Sequence, residues 1–257
     1  MSTAIASTRG PGSTEEALRA AVVAVARQLG PRGLSAGTSG NVSARCDREG
    51  APGFVITPSA MPYEAMTPEA LAWVALDQPA LDQPALDQPA LDEATPLAPP
   101  AHWAGSRDPS SEWRMHRDLL AQRPEVHAVV HAHAPAATAL ACLPDVQRTG
   151  IPAFHYMIAV AGGDDIRCAP YATFGTAALS AHAVAALEGR TACLLAHHGI
   201  LALGASPDDA LAVAVEVETL AQMYVHARAV GTPAVLDTTE MTRVLERFAR
   251  YRSTGTD

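Results

Sequence analysis

The chain has 257 residues, of which 48% are hydrophobic and 18% are charged. This is the composition of a globular protein with enough apolar residues to build one sizeable domain or two small ones. The formal net charge of −9 argues against a nucleic-acid-binding protein and against attraction to anionic membranes, because both partners select a basic surface. An anionic substrate would therefore need a local binding site.

The compartment can be argued from the thiols and the apolar runs. The four cysteines are far apart and form no CxxC pair, which predicts free thiols rather than disulfides or a cysteine-based zinc site. The first residues lack the apolar core of a signal peptide, and no apolar run reaches the length of a membrane span. We therefore expect a cytoplasmic protein. Residues 1–12 are rich in Ser, Gly and Thr and are predicted to be disordered.

Helices are predicted from start and stop signals and, in the first helix, from a cap at Ser13 and apolar residues that recur every three to four positions. They cover residues 13–30, 110–123, 134–143, 176–188 and 207–230, with a further helix start at 67–71. Short apolar runs predict strands at 54–57, 126–133 and 191–199. This alternation predicts an α/β fold with a mixed sheet, whose connection order the pattern leaves open.

Residues 75–93 contain ALDQP three times in succession, followed by ALDE. A period of five residues suits neither a helix nor a strand, and a proline in every repeat prevents a continuous helix. With the Pro- and Ala-rich residues that follow, this stretch predicts a low-complexity loop insertion at 75–107. The rest of 13–257 is predicted to form one domain.

A cluster of histidines is the first candidate for chemistry. His131 and His133 are two positions apart on a predicted strand, so their side chains should lie on one face, which His127 shares. His197 and His198 end another strand just before a glycine. Three histidines with an open coordination position are typical of a catalytic zinc site, although an isolated HxH pair is more often structural.

A second group could hold an anion. Gly37 and Gly40 in GTSGN allow close approach of the backbone, and hydroxyl groups lie at Ser59, Ser110 and Ser111. One of the two adjacent serines, Ser110 or Ser111, is also predicted to cap the helix that begins there, and the N-terminus of a helix favours a phosphate. Ordinary turns and helix caps would show the same residues. Glu112, in the first helical turn, would then lie within reach of a bound substrate, although glutamate is common at that position.

Six motifs in order resemble the class II aldolase/adducin family. They are GTSGNVSAR (37–45), ITPSAMPYEAMTPE (56–69), PSSEWRMH (109–116), VVHAH (129–133), IPAFHYMIAVAGGDDIRCAPYATFGT (151–176) and LLAHHGI (194–200). The longest of them is similar to the branch that cleaves L-fuculose 1-phosphate rather than to the ribulose-phosphate epimerase branch. The resemblance implies a single domain with helices on both faces of its sheet.

The resemblance also implies roles for individual residues. One Zn²⁺ per subunit would be bound by His131, His133 and His198, with Glu112 as catalytic acid/base and a possible fourth ligand in the absence of substrate. A phosphorylated sugar would be held at its phosphate, and the aldehyde would lie beside aromatic residues. A homotetramer with active sites at its interfaces would let Tyr156 act in a neighbouring subunit. The phosphate positions are Thr38, Gly40, Asn41, Ser59, Ser110 and Ser111, and the aldehyde positions are Phe174, Phe248 and Tyr251.

The implied reaction is zinc-dependent retro-aldol cleavage of L-fuculose 1-phosphate or a similar deoxyketose 1-phosphate. The products would be dihydroxyacetone phosphate and an aldehyde such as lactaldehyde. Alternatives are an epimerase acting on ribulose 5-phosphate, a dehydratase acting on methylthioribulose 1-phosphate, and a non-catalytic scaffold like adducin. A scaffold should lack the metal ligands, yet all three histidines are present. Ala60 departs from the glycine usual in the TPSG-like motif, and would be strained if that position needs a positive φ.

Overall fold

The computed structural model describes residues 15–77 and 99–254, with the backbone alone for 251–254. The predicted disorder of residues 1–12, the predicted cap at Ser13 and the side chain of Tyr251 therefore lie outside the described residues. Among the helices of the described residues, none is long and apolar enough to cross a membrane.

The helices begin at the signals that the sequence provides. Ser206 accepts a hydrogen bond from the amide of Asp209, and Pro207 opens the longest helix. Thr176 caps another helix in the same way, through the amide of Leu179. The α-helices are α1 (Glu15–Gln28), α2 (Trp113–Gln122), α3 (Pro135–Ala141), α4 (Pro144–Thr149), α5 (Ala177–Ala186), α6 (Pro207–Val230) and α7 (Thr238–Thr254).

The strands form one eight-stranded sheet and one two-stranded sheet. The strands are β1 (Asn41–Arg45), β2 (Gly53–Ile56), β3 (Ala72–Ala75), β4 (Trp103–Ala104), β5 (Ala128–Ala132), β6 (Ile151–Pro152), β7 (Asp165–Ile166), β8 (Cys168–Ala169), β9 (Ala192–Leu195) and β10 (Gly199–Gly204). The large sheet has the order β4-β3-β2-β1-β5-β10-β9-β8, and β6 pairs with β7. Every neighbouring pair is antiparallel except β8 and β9, so the predicted mixed sheet is confirmed.

Alternating side chains of each strand enter two cores on opposite faces of the large sheet. In β5, Val130 and Ala132 belong to the core that also contains α1, α3 and α6. Val129, from the same strand, belongs to the core that contains α2 and α5. Helices therefore cover both faces, as expected. His131 shares the parity of Val129, which places it on the face covered by α2.

The structure corrects several predicted elements. β1, β3 and β10 were not predicted, because β1 and β3 are short strands beside turn-rich segments and β10 follows β9 through a tight turn. The predicted helix start at 67–71 is only a 3-10 turn, Pro68–Ala70, and the chain then enters β3. The predicted bounds of the loop insertion, 75–107, include residues of two strands, because Ala75 ends β3 and Trp103 pairs with Val74 at the sheet edge. Most of the ALDQP repeats lie outside the described residues.

Candidate metal centre

His131 lies at the centre of the sheet and is completely buried. Its strand β5 is held between β1 and β10, in a register that places Asn41 and Leu201 opposite His131. The Nδ1 atom of His131 lies 2.9 Å from the carbonyl oxygen of Ile200, a contact in which Nδ1 must donate. Nε2 is then unprotonated in the neutral ring and has a lone pair for a ligand.

His133 and His198 complete a cluster of three imidazoles. His133 follows β5 directly, and His198 lies in the turn between β9 and β10. The ring centroids of the three histidines are 4.8–5.0 Å apart, and the Nε2 atoms of His131 and His133 are separated by 3.1 Å. The structure thus brings together the three histidines that the sequence singled out, whereas His127 is exposed.

His197 points away from this cluster because its backbone is left-handed, with φ of 56°. Its Nε2 lies 2.9 Å from the side-chain nitrogen of Gln147, and its ring packs edge-on against Tyr171. The left-handed residue turns the chain so that the next side chain, His198, faces His131. Gly199 is required there for a different reason, since a Cβ would lie 2.3 Å from the carbonyl oxygen of Ala132.

A divalent metal ion fits this arrangement. One nitrogen from each of the three rings lies within 4.8 Å of the others. Zinc–nitrogen bonds of about 2.0–2.1 Å in a tetrahedral site separate neighbouring nitrogens by roughly 3.3 Å, close to the separation seen between His131 and His133. Three neutral imidazoles at these distances stabilise one another only weakly, so an ion bound between them explains why the rings converge.

Glu112 closes the cluster from the opposite side. Its Oε2 lies 3.2 Å from His131 Nε2, and its Oε1 lies 3.2 Å from His198 Nε2. The residue is only 6% exposed. It is the N-cap of α2, although its side chain makes no capping bond because it is turned toward the histidines. Among the described residues, Oε1 is buried without a hydrogen-bond partner, as expected for an atom that contacts a metal or a substrate.

The charges of the centre are strongly coupled. Burial alone would raise the pKa of Glu112, but His131 and His198 hold it well below its ordinary value. Burial lowers the pKa of His133 to about 4, helped by its histidine neighbours. Burial also opposes protonation of His131, yet Glu112 raises its pKa. Glu112 is therefore a carboxylate at neutral pH, and the pocket combines one negative charge with several nitrogen lone pairs.

Asn41 does not point toward an anion site. Its side-chain amide donates to Glu112 Oε2 over 2.9 Å, and its carbonyl oxygen lies 2.5 Å from Nε2 of His116. His116, in turn, lies 2.7 Å from the hydroxyl of Ser43. Neither His116 nor Ser43 was among the site residues predicted from the sequence. The signal available was the spacing of Glu112 and His116, four residues apart and therefore on one face of α2.

The residues expected at the phosphate form two groups. Ser59 donates to the carbonyl of Pro109 and accepts from the amide of Ser111, so these serines are neighbours at the start of α2. Ser110 is buried, and its hydroxyl accepts from the amide of Glu112. Neither serine is the N-cap residue predicted for this helix, because α2 begins one residue later. Thr38 is exposed in the turn before β1.

Gly40 is fixed by contacts rather than by a positive φ. Its amide donates to the hydroxyl of Tyr63, and that hydroxyl donates back to the Gly40 carbonyl. A Cβ at Gly40 would lie 2.7 Å from the carbonyl oxygen of His131. Gly37 has a left-handed backbone with φ of 63°, whereas Gly40 does not have a positive φ. The Gly40 amide is therefore already engaged within the chain.

The aromatic residues expected near the aldehyde are spread over the surface. Tyr156 is 50% exposed at the start of a 3-10 helix, and Phe174 is 51% exposed in the loop before α5. Phe248 is different, since it is partly buried and packs against the core from α7. Tyr171, three residues before Phe174, contacts His197 and so links that loop to the turn that carries His198.

Comparison with known proteins agrees with this geometry. The family described as the class II aldolase and adducin N-terminal domain matches residues 20–225. A 5-methylthioribulose-1-phosphate/5-deoxyribulose-1-phosphate aldolase of Rhodospirillum rubrum is 46% identical over 94% of this chain and 95% of its own length. An L-fuculose phosphate aldolase of Escherichia coli K12 is 41% identical over 85% of this chain and 88% of its own.

A solved structure of an L-fuculose 1-phosphate aldolase superposes with a TM-score of 0.75 at 34% identity, covering 93% of this chain and 98% of the other. Class II aldolases depend on a metal ion, and the three converging histidines are able to hold one. The chain therefore belongs to the class II aldolase and adducin family, within which it is an aldolase and hence a lyase.

Proposed function

We propose that the chain catalyses zinc-dependent retro-aldol cleavage of a deoxyketose 1-phosphate, giving dihydroxyacetone phosphate and a short aldehyde. The observation that carries this proposal is the position of Glu112, whose unpartnered Oε1 faces His198 beside the histidine cluster. Zinc is the metal that the donor set favours, because three imidazoles leave an open position for substrate oxygens. The family assignment itself implies a phosphorylated sugar.

In this mechanism the bond between C3 and C4 of the ketose breaks. A bound divalent ion supplies Lewis acidity that stabilises the negative charge developing on the ketone half. Glu112 carries the proton that is exchanged at C3, since its carboxylate is buried and held in place. Tyr156 exchanges the proton of the C4 hydroxyl as that hydroxyl becomes the aldehyde oxygen. Ser59, Ser110 and Ser111, with Thr38, bind the phosphate, and Gly40 gives the turn its close backbone approach.

We propose further that the protein acts in the cytoplasm as a homotetramer and that Tyr156 serves the site of a neighbouring subunit. The half-exposed ring of Tyr156 supports this, because within one subunit it packs only against His155 among ring contacts in the described residues. Mixing subunits of Glu112→Gln and Tyr156→Phe should then restore part of the activity that each homotetramer lacks. Mixed tetramers that stay inactive would place Tyr156 outside a shared site.

The identity of the substrate depends on which aldehyde the cleavage releases. The relative at 46% identity is named for 5-methylthio- and 5-deoxyribulose 1-phosphates, and the relative at 41% for L-fuculose phosphate. We favour a 5-deoxypentulose 1-phosphate or its 5-methylthio analogue, with L-fuculose 1-phosphate as second candidate. The exposed aromatic ring of Phe174 suits an aldehyde with an apolar end, and Phe248 and Tyr251 stay proposed for the aldehyde side on the family resemblance.

A substrate panel tests the proposal. The zinc-loaded protein is incubated with 5-deoxyribulose 1-phosphate, its 5-methylthio analogue, L-fuculose 1-phosphate and ribulose 5-phosphate, and dihydroxyacetone phosphate is measured by coupled reduction. We expect cleavage of the first three, with kcat/KM highest for a pentulose. Conversion of ribulose 5-phosphate to its epimer, or loss of water from the methylthio sugar without cleavage, would replace the proposal with one of the family alternatives.

A further inference from the structure

A chain of buried hydrogen bonds runs from Glu112 into the core. Its members are Glu112, Asn41, His116 and Ser43, and each is no more than 6% exposed. The chain crosses from α2 to β1, since Glu112 and His116 flank one turn of the helix and Asn41 and Ser43 lie on the strand. No member other than Glu112 contacts the histidine cluster in the hydrogen bonds of the described residues.

The direction of every bond in this chain follows from the charge of Glu112. A carboxylate only accepts, so Asn41 must present its NH₂ group to Oε2. The Asn41 carbonyl oxygen then faces His116, whose Nε2 must carry the hydrogen. His116 Nδ1 is left as the acceptor, and the hydroxyl of Ser43 must donate to it. A single tautomer of His116 satisfies all three contacts.

His116 is suited to hold that tautomer permanently. Its ring has no exposed surface, and burial, reinforced by His131, lowers its pKa to about 3. It therefore stays neutral throughout the range in which an enzyme works. Without the His116 N–H, the Asn41 carbonyl oxygen would be buried without a donor, and the amide that holds Glu112 Oε2 would lose one of its two anchors.

The two oxygens of Glu112 are consequently unequal. Oε2 is occupied by Asn41, whereas Oε1 has no hydrogen-bond partner among the described residues. We propose that His116 is a positioning residue: through Asn41 it locks Glu112 Oε2, so that Oε1 is the oxygen that takes and returns the proton. This inference rests on the proposed function for the role of Glu112. The hydrogen bonds that link Glu112, Asn41, His116 and Ser43 are observed independently of that function.

Two substitutions at His116 separate positioning from packing. His116→Gln keeps an NH₂ donor for Asn41 and an oxygen acceptor for Ser43, whereas His116→Phe keeps the ring volume and removes both. Positioning predicts that kcat falls about 10- to 100-fold in His116→Phe and less than about fivefold in His116→Gln, with KM and metal content unchanged. If His116 only fills space, the order is reversed. His127→Phe, an exposed histidine before β5, serves as control.

A measurement that does not depend on turnover reports on the same series of hydrogen bonds. In zinc-loaded protein labelled with ¹⁵N in histidine and asparagine, His116 should show the Nε2–H tautomer, and Ser43→Ala should move the resonance of Nδ1. The side-chain amide resonances of Asn41 should shift in His116→Phe and stay in place in His116→Gln. The inference would be overturned by an Nδ1–H tautomer of His116, or by Asn41 side-chain amide resonances that shift in neither variant. A protein that cleaves no ketose phosphate but shows these resonances would refute the proposed function alone.

Discussion

Glu112 Oε1 and His198 Nε2 lie 3.2 Å apart, although one residue precedes a helix and the other lies in a turn between two strands 86 positions later in the chain. Without a cation, two such atoms attract each other only if a proton lies between them. A metal ion at the cluster removes that need and leaves the carboxylate facing a cation. The relationship therefore makes metal content the first property to measure.

Removal of the metal should abolish activity and reduce stability. Extensive dialysis against a chelator should lower turnover below detection, and stoichiometric Zn²⁺ should restore it, because the ion stabilises the developing charge. The melting temperature should fall on chelation, since a ligand bound only to the folded state stabilises it by mass action. His133→Ala should reproduce the chelated state. Full activity in metal-free protein would refute the metal centre.

Glu112→Gln should separate chemistry from metal binding. The amide has the same shape but cannot exchange a proton, so kcat should fall about 10²- to 10⁴-fold while metal content stays near one ion per subunit. Metal analysis and steady-state kinetics on the same preparation provide the measurement. Near-normal turnover in this variant would exclude Glu112 as the acid/base group.

Gly40→Ala should weaken the metal site from a distance. The new Cβ would lie 2.7 Å from the His131 carbonyl oxygen and 2.8 Å from the Ser35 hydroxyl, so β5 must shift near the residue that carries a metal ligand. We expect metal affinity to fall about 10- to 100-fold, measured by competition with a zinc-binding dye. Gly33→Ala is the matched control, because its φ of 70° imposes the strain of a left-handed residue with open space around it.

Ala60→Gly should stabilise the protein. Ala60 has a φ of 53°, a left-handed conformation that costs a residue with a Cβ about 1–2 kcal/mol. Glycine removes that cost but adds about 0.4–1 kcal/mol of chain entropy in the unfolded state, so the net gain should be about 0.5–1 kcal/mol. Thermal melting at fixed zinc concentration measures it. Ala24→Gly, on the exposed side of α1, should instead destabilise by about 1 kcal/mol.

His116 should make stability fall in mild acid. The pKa of His116 is about 3 in the folded protein and 6.5 for an unperturbed histidine. Below pH 6.5, His116 therefore binds a proton in the unfolded protein but not in the folded one. Stability from this group is therefore fully present above pH 6.5 and is lost as the pH falls, by about 1.3 kcal/mol between pH 7 and 5.5. Urea unfolding of wild type and His116→Gln at both pH values isolates this contribution. Equal losses in the two proteins would contradict it.

The parts of the fold that the sequence predicted are those with strong local signals. The cap and start signals of α6 and the apolar run of β9 marked their positions, and the HxH spacing placed His131 and His133 together. β1, in a turn-rich segment, and β10, directly after the turn that follows β9, gave no comparable signal. They form because they pair with β5 in the middle of the sheet, and such long-range pairing is invisible in a local pattern.

The same distinction applies to the site. The spacing paired His131 with His133, and the family resemblance selected His198 and Glu112, but the part that Asn41 plays followed from neither. A resemblance assigns Asn41 to the phosphate, whereas its buried amide is shared between Glu112 and His116. Only the pairing of β1 with β5 and the packing of α2 over that face bring these side chains together. Polar contacts of this kind depend on tertiary structure.

The attachment of the ALDQP tract has a practical consequence. The chain leaves the described structure after Asp77 and returns at Pro99, on either side of the hairpin-like pair β3 and β4. β4 is the edge strand, four places along the sheet from β5 and its metal ligand. Extra sequence spliced into this interval, such as a fluorescent reporter or an affinity handle, would thus be attached at an edge of the sheet and not beside the strand that carries His131.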